Sequence, residues 1–242
     1  MSTAARTLLE LEAVSRVYGD TVKVHALREV SLQVRAGDFL SIVGPSGSGK
    51  STMLGLLGCL DLPSSGIVRV DGHDVASLDD ATRSALRGRS IGFVFQQFHL
   101  IPHLSALGNV ETALLYRGLS KRERRERAHA ALDRVGLGAR TGHRPVQMSG
   151  GEQQRVAIAR AIVTEPLMVL ADEPTGALDT KNAASVMDIF QSLQSSERAV
   201  VLVTHDPGVA DMARRKVSMR DGEIVSDEVR APTSTAPVGA LA

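Results

Sequence analysis

This sequence is short of the residues that cross-link or anchor small secreted domains: its 242 residues hold one cysteine, no tryptophan and two tyrosines. A single thiol excludes an internal disulfide. The setting of Cys59, between Leu57-Gly58 and Leu60, reads as a small buried hydrophobe rather than a reactive nucleophile. No apolar stretch approaches the roughly 20 residues that a helix needs to span a bilayer, so any membrane work is expected to need a separate chain. Met1 to Glu10 lacks the apolar core of a secretory signal. There is no Asn-Lys-x-Asp run of the kind that reads guanine, which argues against a GTPase. Net charge is only +1, and the one basic run, Lys121-Arg122-Glu123-Arg124-Arg125-Glu126-Arg127, interleaves glutamate. That pattern reads as a solvated helix face, and no nucleic-acid partner is expected.

A hydrophobic content of 43% suffices for a substantial core in an ordinary globular α/β protein. Within it, Gly44-Pro45-Ser46-Gly47-Ser48-Gly49-Lys50-Ser51-Thr52 fits the phosphate-loop pattern G-x-x-x-x-G-K-[ST]. The apolar run Phe39 to Val43 before it and the helical pattern Met53 to Leu60 after it supply the strand-loop-helix context. Glycines let the backbone N–H groups close on phosphate oxygens, and the helix start adds its positive dipole end. Lys50 is then the point charge for the outer phosphates, and the Ser51 hydroxyl is placed for Mg²⁺. A second apolar run, Leu167 to Ala171, ends in Asp172-Glu173 and reads as a buried parallel strand, at whose end ligand groups collect. Asp172 suits Mg²⁺ held through water, and Glu173 suits a general base that polarises the attacking water. Two further buried-strand patterns end in polar groups: Ile91 to Phe95 in Gln96, and Ala199 to Thr204 in His205. Ser149-Gly150-Gly151-Glu152, ahead of the helical stretch Gln153 to Thr164, is a capping box by pattern. A helix start is also an anion site, so both uses stay open.

The phosphate loop, the Ser149 to Arg155 run and the acidic pair, in this order and spacing, resemble the nucleotide-binding subunit of ATP-binding-cassette (ABC) transporters over residues 7 to 226. Leu57 to Asp61, Gly92 to Gln96 and Ala171 to Asp179 are most similar to the branch of macrolide exporters, lipoprotein-releasing ATPases and the cell-division ATPase FtsE. The departure from the commonest Leu-Ser-Gly-Gly-Gln run, at Met148 and Glu152, keeps apolarity at the first and uses a frequent variant at the second.

The resemblance implies an α/β fold: a RecA-like P-loop core with an N-terminal antiparallel β subdomain and an inserted α-helical subdomain. It implies ATP and Mg²⁺ as cofactors. Tyr18 matches the aromatic that stacks on adenine. Gln96, preferred over Gln97 for its place after Phe93-Val94-Phe95, matches the glutamine that reaches Mg²⁺ or the attacking water and reports to the membrane partner. His205 matches the histidine that contacts the γ-phosphate and the catalytic glutamate, and Asp179 the loop that crosses the dimer interface. Ser149, Gly150, Gly151 and Glu152 match the run aimed at the γ-phosphate of the opposite subunit. The implied assembly is a homodimer around two ATP, bound at the cytoplasmic face of the membrane to an integral permease subunit. Export or release of lipophilic cargo is the implied work. An FtsE-like regulator of cell-wall enzymes and an importer subunit are the alternatives, separated from it by the partner alone.

One ATPase domain is expected over 1–226, with the helical insert at about 98–146 and a disordered tail at 227–242, rich in Pro, Ser, Thr and Ala from Ala231 onward. Ser120 with Glu123 signs a helix running through Val135, with Gly136 as its stop. The alternating runs Val30 to Arg35 and Gly66 to Val70 read as half-buried antiparallel strands, and Asp221-Gly222 as a hairpin turn.

Overall fold

The computed structural model describes residues 5–230. Two 12-residue strands, β1 (Thr7–Tyr18) and β2 (Val24–Arg35), open the chain, followed by β3 (Phe39–Val43) and helix α1 (Lys50–Leu57). Then come β4 (Ser65–Val70), a two-residue β5 (His73–Asp74), α2 (Asp80–Ser90) and β6 (Ile91–Val94). A helical stretch holds α3 (Ala106–Glu111) and α4 (Lys121–Arg134) and leads into α5 (Gly150–Ile162). The rest alternates: β7 (Met168–Asp172), α6 (Thr180–Leu193), β8 (Ala199–Val203), α7 (Pro207–Asp211), β9 (Arg215–Arg220) and β10 (Glu223–Val229).

These strands form two sheets. The antiparallel sheet has the order β2-β1-β4-β5, and the larger one β10-β9-β3-β8-β7-β6. In the larger sheet every neighbouring pair is parallel except β9 with β10, which close through a tight turn at Asp221-Gly222. Both turn residues have positive φ, 51° and 84°, as a two-residue hairpin turn demands.

Continuous apolar runs make sense only for strands covered on both faces. In β7, Val169 and Ala171 join a core shared with the helices, while Met168 and Leu170 join one shared with the antiparallel sheet. β8 divides the same way, Val200 and Leu202 against Ala199, Val201 and Val203. The period-2 alternation of side chains thus builds a three-layer sandwich with the parallel sheet in the middle. Ser41 is the polar exception in β3, and its hydroxyl donates to the Ala210 carbonyl at 3.1 Å.

The segment from Phe98 to Val146 carries α3, α4 and short 3₁₀ turns, as its helical pattern implies. The Ser120–Glu123 capping box forms in both directions, and the helix stops one residue short of Val135, which caps it before Gly136 at φ 73°. One boundary needs correction: residues 227–229 belong to β10, not to a tail. Asp227, Glu228 and Val229 pair with Val217, Lys216 and Arg215, and the Arg215 guanidinium grips the Asp227 carboxylate at 2.6 and 2.7 Å. Their polarity is that of an edge strand with one face in water, which composition alone mistakes for loop. The expected disorder of Ala231 to Ala242 lies outside the described residues.

Candidate functional site

The parallel strands β3, β6, β7 and β8 end on one side of the sheet, and their loops surround a cleft of about 690 Å³. β3 delivers the glycine-rich loop. Gly49 sits at the N-cap of α1 with φ 96°, and a Cβ there would meet the Ala26 carbonyl oxygen at 2.5 Å, so only glycine fits. No side chain caps α1 and no acidic residue stands in its first turn. Its leading N–H groups therefore face the loop as unused donors, which suits an anion. Lys50 Nζ donates to the carbonyls of Gly44 and Pro45, 2.8 Å to each, so its ammonium lies folded inside the loop. Gly44, Pro45, Ser46, Gly47, Gly49, Lys50, Ser51 and Thr52 all line the cleft, while Ser48 is buried beneath it.

Across the cleft stand the ends of β6, β7 and β8: Gln96, Asp172, Glu173 and His205. Glu173 has φ 44°, a left-handed conformation that costs a non-glycine residue on the order of 1–3 kcal/mol. Its surroundings hold it there. Its N–H donates to the Val203 carbonyl at 2.8 Å, and its carboxylate accepts from the Thr204 hydroxyl at 3.1 Å and the His205 N–H at 3.0 Å. His205 Nδ1 donates to the same carboxylate at 2.7 Å, because a carboxylate can only accept. That bond raises the His205 pKa above its ordinary value. The pair is asymmetric: Glu173 is 17% exposed and His205 73%, so the carboxylate is fixed and the imidazole reaches outward. Burial, followed by the neighbouring Glu173 charge, raises the Asp172 pKa, while Lys50 opposes the rise. A desolvated carboxylate in that position gains from a cation beside it. With the Ser51 hydroxyl and the Gln96 amide on the same cleft, the donor set is all hard oxygen, which fits Mg²⁺.

The remaining residues singled out by sequence do not line this cleft. Tyr18, at the end of β1, donates its phenol proton to Asp61 at 2.7 Å, and the Arg16 guanidinium lies 4.4 Å from its ring centroid. Arg16 also donates to Asp61 at 2.8 Å, so the ring is braced on a charged pair. Ser149 and Glu152 form the capping box of α5, with bonds of 2.8 and 3.3 Å, and Arg140 donates to the second Glu152 oxygen at 3.0 Å. These contacts, the Ser149 N–H first, lower the Glu152 pKa. Gly151 lies where α5 meets the start of α6: a Cβ there would fall 2.4 Å from Asn182 Oδ1, and Asp179 caps the same helix by accepting from Asn182 N–H at 2.9 Å. Ser149, Gly150, Gly151, Glu152 and Asp179 thus form a second surface of their own. Sequence reasoning missed Val24, His25 and Ala26 on the cleft wall and Thr204 behind Glu173. Only the last carried a signal, its place at a buried strand end next to His205.

Residues 27–176 match the family model described as ABC transporter. The chain belongs to the ABC transporter family. It is 52% identical over 222 residues to the macrolide export ATP-binding/permease protein MacB 1 of Yersinia pestis, covering 91% of this cassette but 34% of that protein. The cassette therefore spans about a third of the length of its macrolide-export relatives. It is 48% identical to the uncharacterised ABC transporter ATP-binding protein YvrO of Bacillus subtilis, covering 91% of this chain and 97% of that one. Its backbone superposes with a TM-score of 0.84, at 45% identity, on a dimeric post-hydrolysis state of the ATP-binding cassette MJ0796 bound to ADP and Pi, covering 91% of this chain and 98% of that one. The α/β fold implied by the sequence, antiparallel subdomain and helical insert included, is the one observed.

Proposed function

We propose that this cassette binds ATP with Mg²⁺, dimerises around two nucleotides and hydrolyses them to drive a membrane permease in export or release of lipophilic cargo. The observation that carries this reading is the division of the site between two surfaces. The phosphate loop, Asp172, Glu173, Gln96 and His205 share one cleft, and the Ser149–Glu152 helix start with Asp179 faces elsewhere. A second copy, placed face to face, would bring its own Ser149 run to the outer phosphate, and two half-sites become two whole ones. ATP then binds the closed pair better than the open one, and that difference in affinity is what a ligand needs to drive a change of shape.

Within one half-site the roles follow from the contacts. Lys50 and the uncapped start of α1 hold phosphate oxygens. Tyr18, braced by Arg16 and Asp61, offers a flat face to the base. Ser51, Asp172 and Gln96 would hold Mg²⁺, which neutralises phosphate charge when bound. Glu173 accepts a proton from the attacking water, and its strained, three-point anchorage fixes the carboxylate before the substrate arrives. His205 steadies that carboxylate and extends toward the outer phosphate. No helix among the described residues is long and apolar enough to cross a membrane. In this proposal the coupling runs through a permease at the cytoplasmic face. The macrolide export ATP-binding/permease relatives join ATP-binding and permease parts, and their direction, export, favours export over import here.

Sedimentation of the hydrolysis-blocked Glu173→Gln variant with ATP and Mg²⁺ tests the assembly. A dimer that forms with ATP and dissociates with ADP is expected. A monomer at saturating ATP, with the permease present, would overturn the proposal.

A further inference from the structure

Helix α5 begins with the Ser149 run, yet its later side chains grip two of the loops around the cleft, those that follow β6 and β7. Gln154, fully buried, donates from Nε2 to the Pro174 carbonyl at 2.6 Å, next to Glu173. Farther along the helix, Arg160 donates from Nη1 to the His99 carbonyl at 2.6 Å and from Nη2 to the Phe98 carbonyl at 2.8 Å. Phe98 and His99 are consecutive non-glycine residues at φ 57° and 48°, just beyond Gln96. A left-handed pair of this kind persists only where its surroundings impose it. Phe98 also lies against the start of α5: a Cβ on Gly150 would stand 3.8 Å from its ring. Burial lowers the Arg160 pKa and no acidic neighbour counters it, so this cation has been drawn out of water to meet main-chain carbonyls.

We infer that Arg160 is a positioning residue: its guanidinium clamps the left-handed Phe98–His99 turn and so sets where the Gln96 amide enters the cleft, tying that amide to the helix that carries Ser149. The inference rests on the proposed role of Gln96. A shift of α5 as a body would carry the Gln96 loop with it, so the two surfaces of the site are geared within one chain.

The test compares Arg160→Ala, His99→Gly, the double variant and Gln96→Ala as full-length proteins, with kcat, KM for ATP and thermal midpoint measured on each. Arg160→Ala should lower kcat about tenfold, the rate equivalent of one strained residue, and leave KM within a factor of about two. Glycine adopts the left-handed conformation without the clamp. Adding His99→Gly should therefore restore most of kcat in the Arg160→Ala background, which a purely structural arginine would not allow. A loss of kcat that His99→Gly does not recover overturns the inference, and so does parent kcat in Arg160→Ala when Gln96→Ala is slow. Parent turnover in Gln96→Ala would instead overturn the role of Gln96, and the inference with it. If Arg160→Ala does not fold, Arg160→Lys, which replaces the two-nitrogen fork by one ammonium nitrogen, carries the same comparison.

Discussion

Replacing Glu173 by glutamine changes one oxygen to an amide nitrogen and leaves the shape of the side chain intact. Three donors converge on the carboxylate in the parent: the Thr204 hydroxyl, the His205 N–H and His205 Nδ1. An amide oxygen can still accept from the backbone N–H, but the amide nitrogen turns a donor toward one of the other two. Hydrogen bonds to a charged group are each worth about 1.5–3 kcal/mol, and the Thr204 hydroxyl can rotate to accept instead, so the fold should survive with a modest loss. Catalysis should not. A neutral amide cannot take a proton from water, and loss of general-base assistance lowers turnover by about 10²–10⁴. Nucleotide affinity should remain near the parent value, because Lys50 and the α1 start belong to a different strand end. Phosphate release under saturating ATP measures the first quantity and equilibrium binding of labelled nucleotide the second. The His205 imidazole supplies a third readout: its pKa, raised by Glu173, should fall back toward the ordinary histidine value when followed by NMR. Turnover close to that of the parent, with the His205 pKa still raised, would refute Glu173 as the base.

Lys50→Ala removes the one cation inside the phosphate loop and should weaken ATP binding about tenfold or more, the equivalent of a charged hydrogen bond, as titration calorimetry would show. Leu170→Ala opens a cavity at a fully buried position of β7 and should cost about 2–5 kcal/mol in denaturant unfolding, with KM for ATP unchanged. Burial holds the Cys59 thiol up at about 11, against 9.0 for the free group, so the folded chain keeps a proton that the unfolded chain gives up first. The associated stability is fully present below about pH 9 and lost between there and about pH 11. Relative to Cys59→Ala, the parent should therefore lose on the order of 2–3 kcal/mol across that window by denaturant titration, and equal slopes for the two would refute the shift.

How much of this was legible beforehand depended on whether a residue's function is local. The phosphate loop, the acidic pair and the strand ends at Gln96 and His205 could be found because each is a short run whose backbone geometry follows from its own glycines or its own apolar periodicity. The antiparallel sheet and the helical insert followed from alternation and from the Ser120–Glu123 cap for the same reason. The last strand did not, because Asp227 and Glu228 owe their order to Val217, Lys216 and Arg215 across the hairpin. Arg16 and Asp61 were equally hidden: they brace Tyr18 from 45 residues apart, and nothing in either neighbourhood announces the pairing. Thr204 and Gln154 are buried polar groups whose partners are chosen by packing between a helix and a strand end.

The same distinction explains why the Ser149 run looks, within one chain, like a helix cap and nothing more. Its capping box is satisfied, its glycine packs on Asn182, and its glutamate is held by Arg140, so as a local motif it is complete. A cap needs no glycine at its second helical position, however, and the close approach of α6 that requires Gly151 also brings Asp179 to the same surface. Two helix starts, those of α5 and α6, therefore stand side by side, each capped by its own side chain, Ser149 and Asp179. In the proposed dimer, what draws the outer phosphate of the second copy's nucleotide to this surface is the dipole end of α5, because the Glu152 and Asp179 carboxylates beside it are already engaged by Arg140 and Asn182.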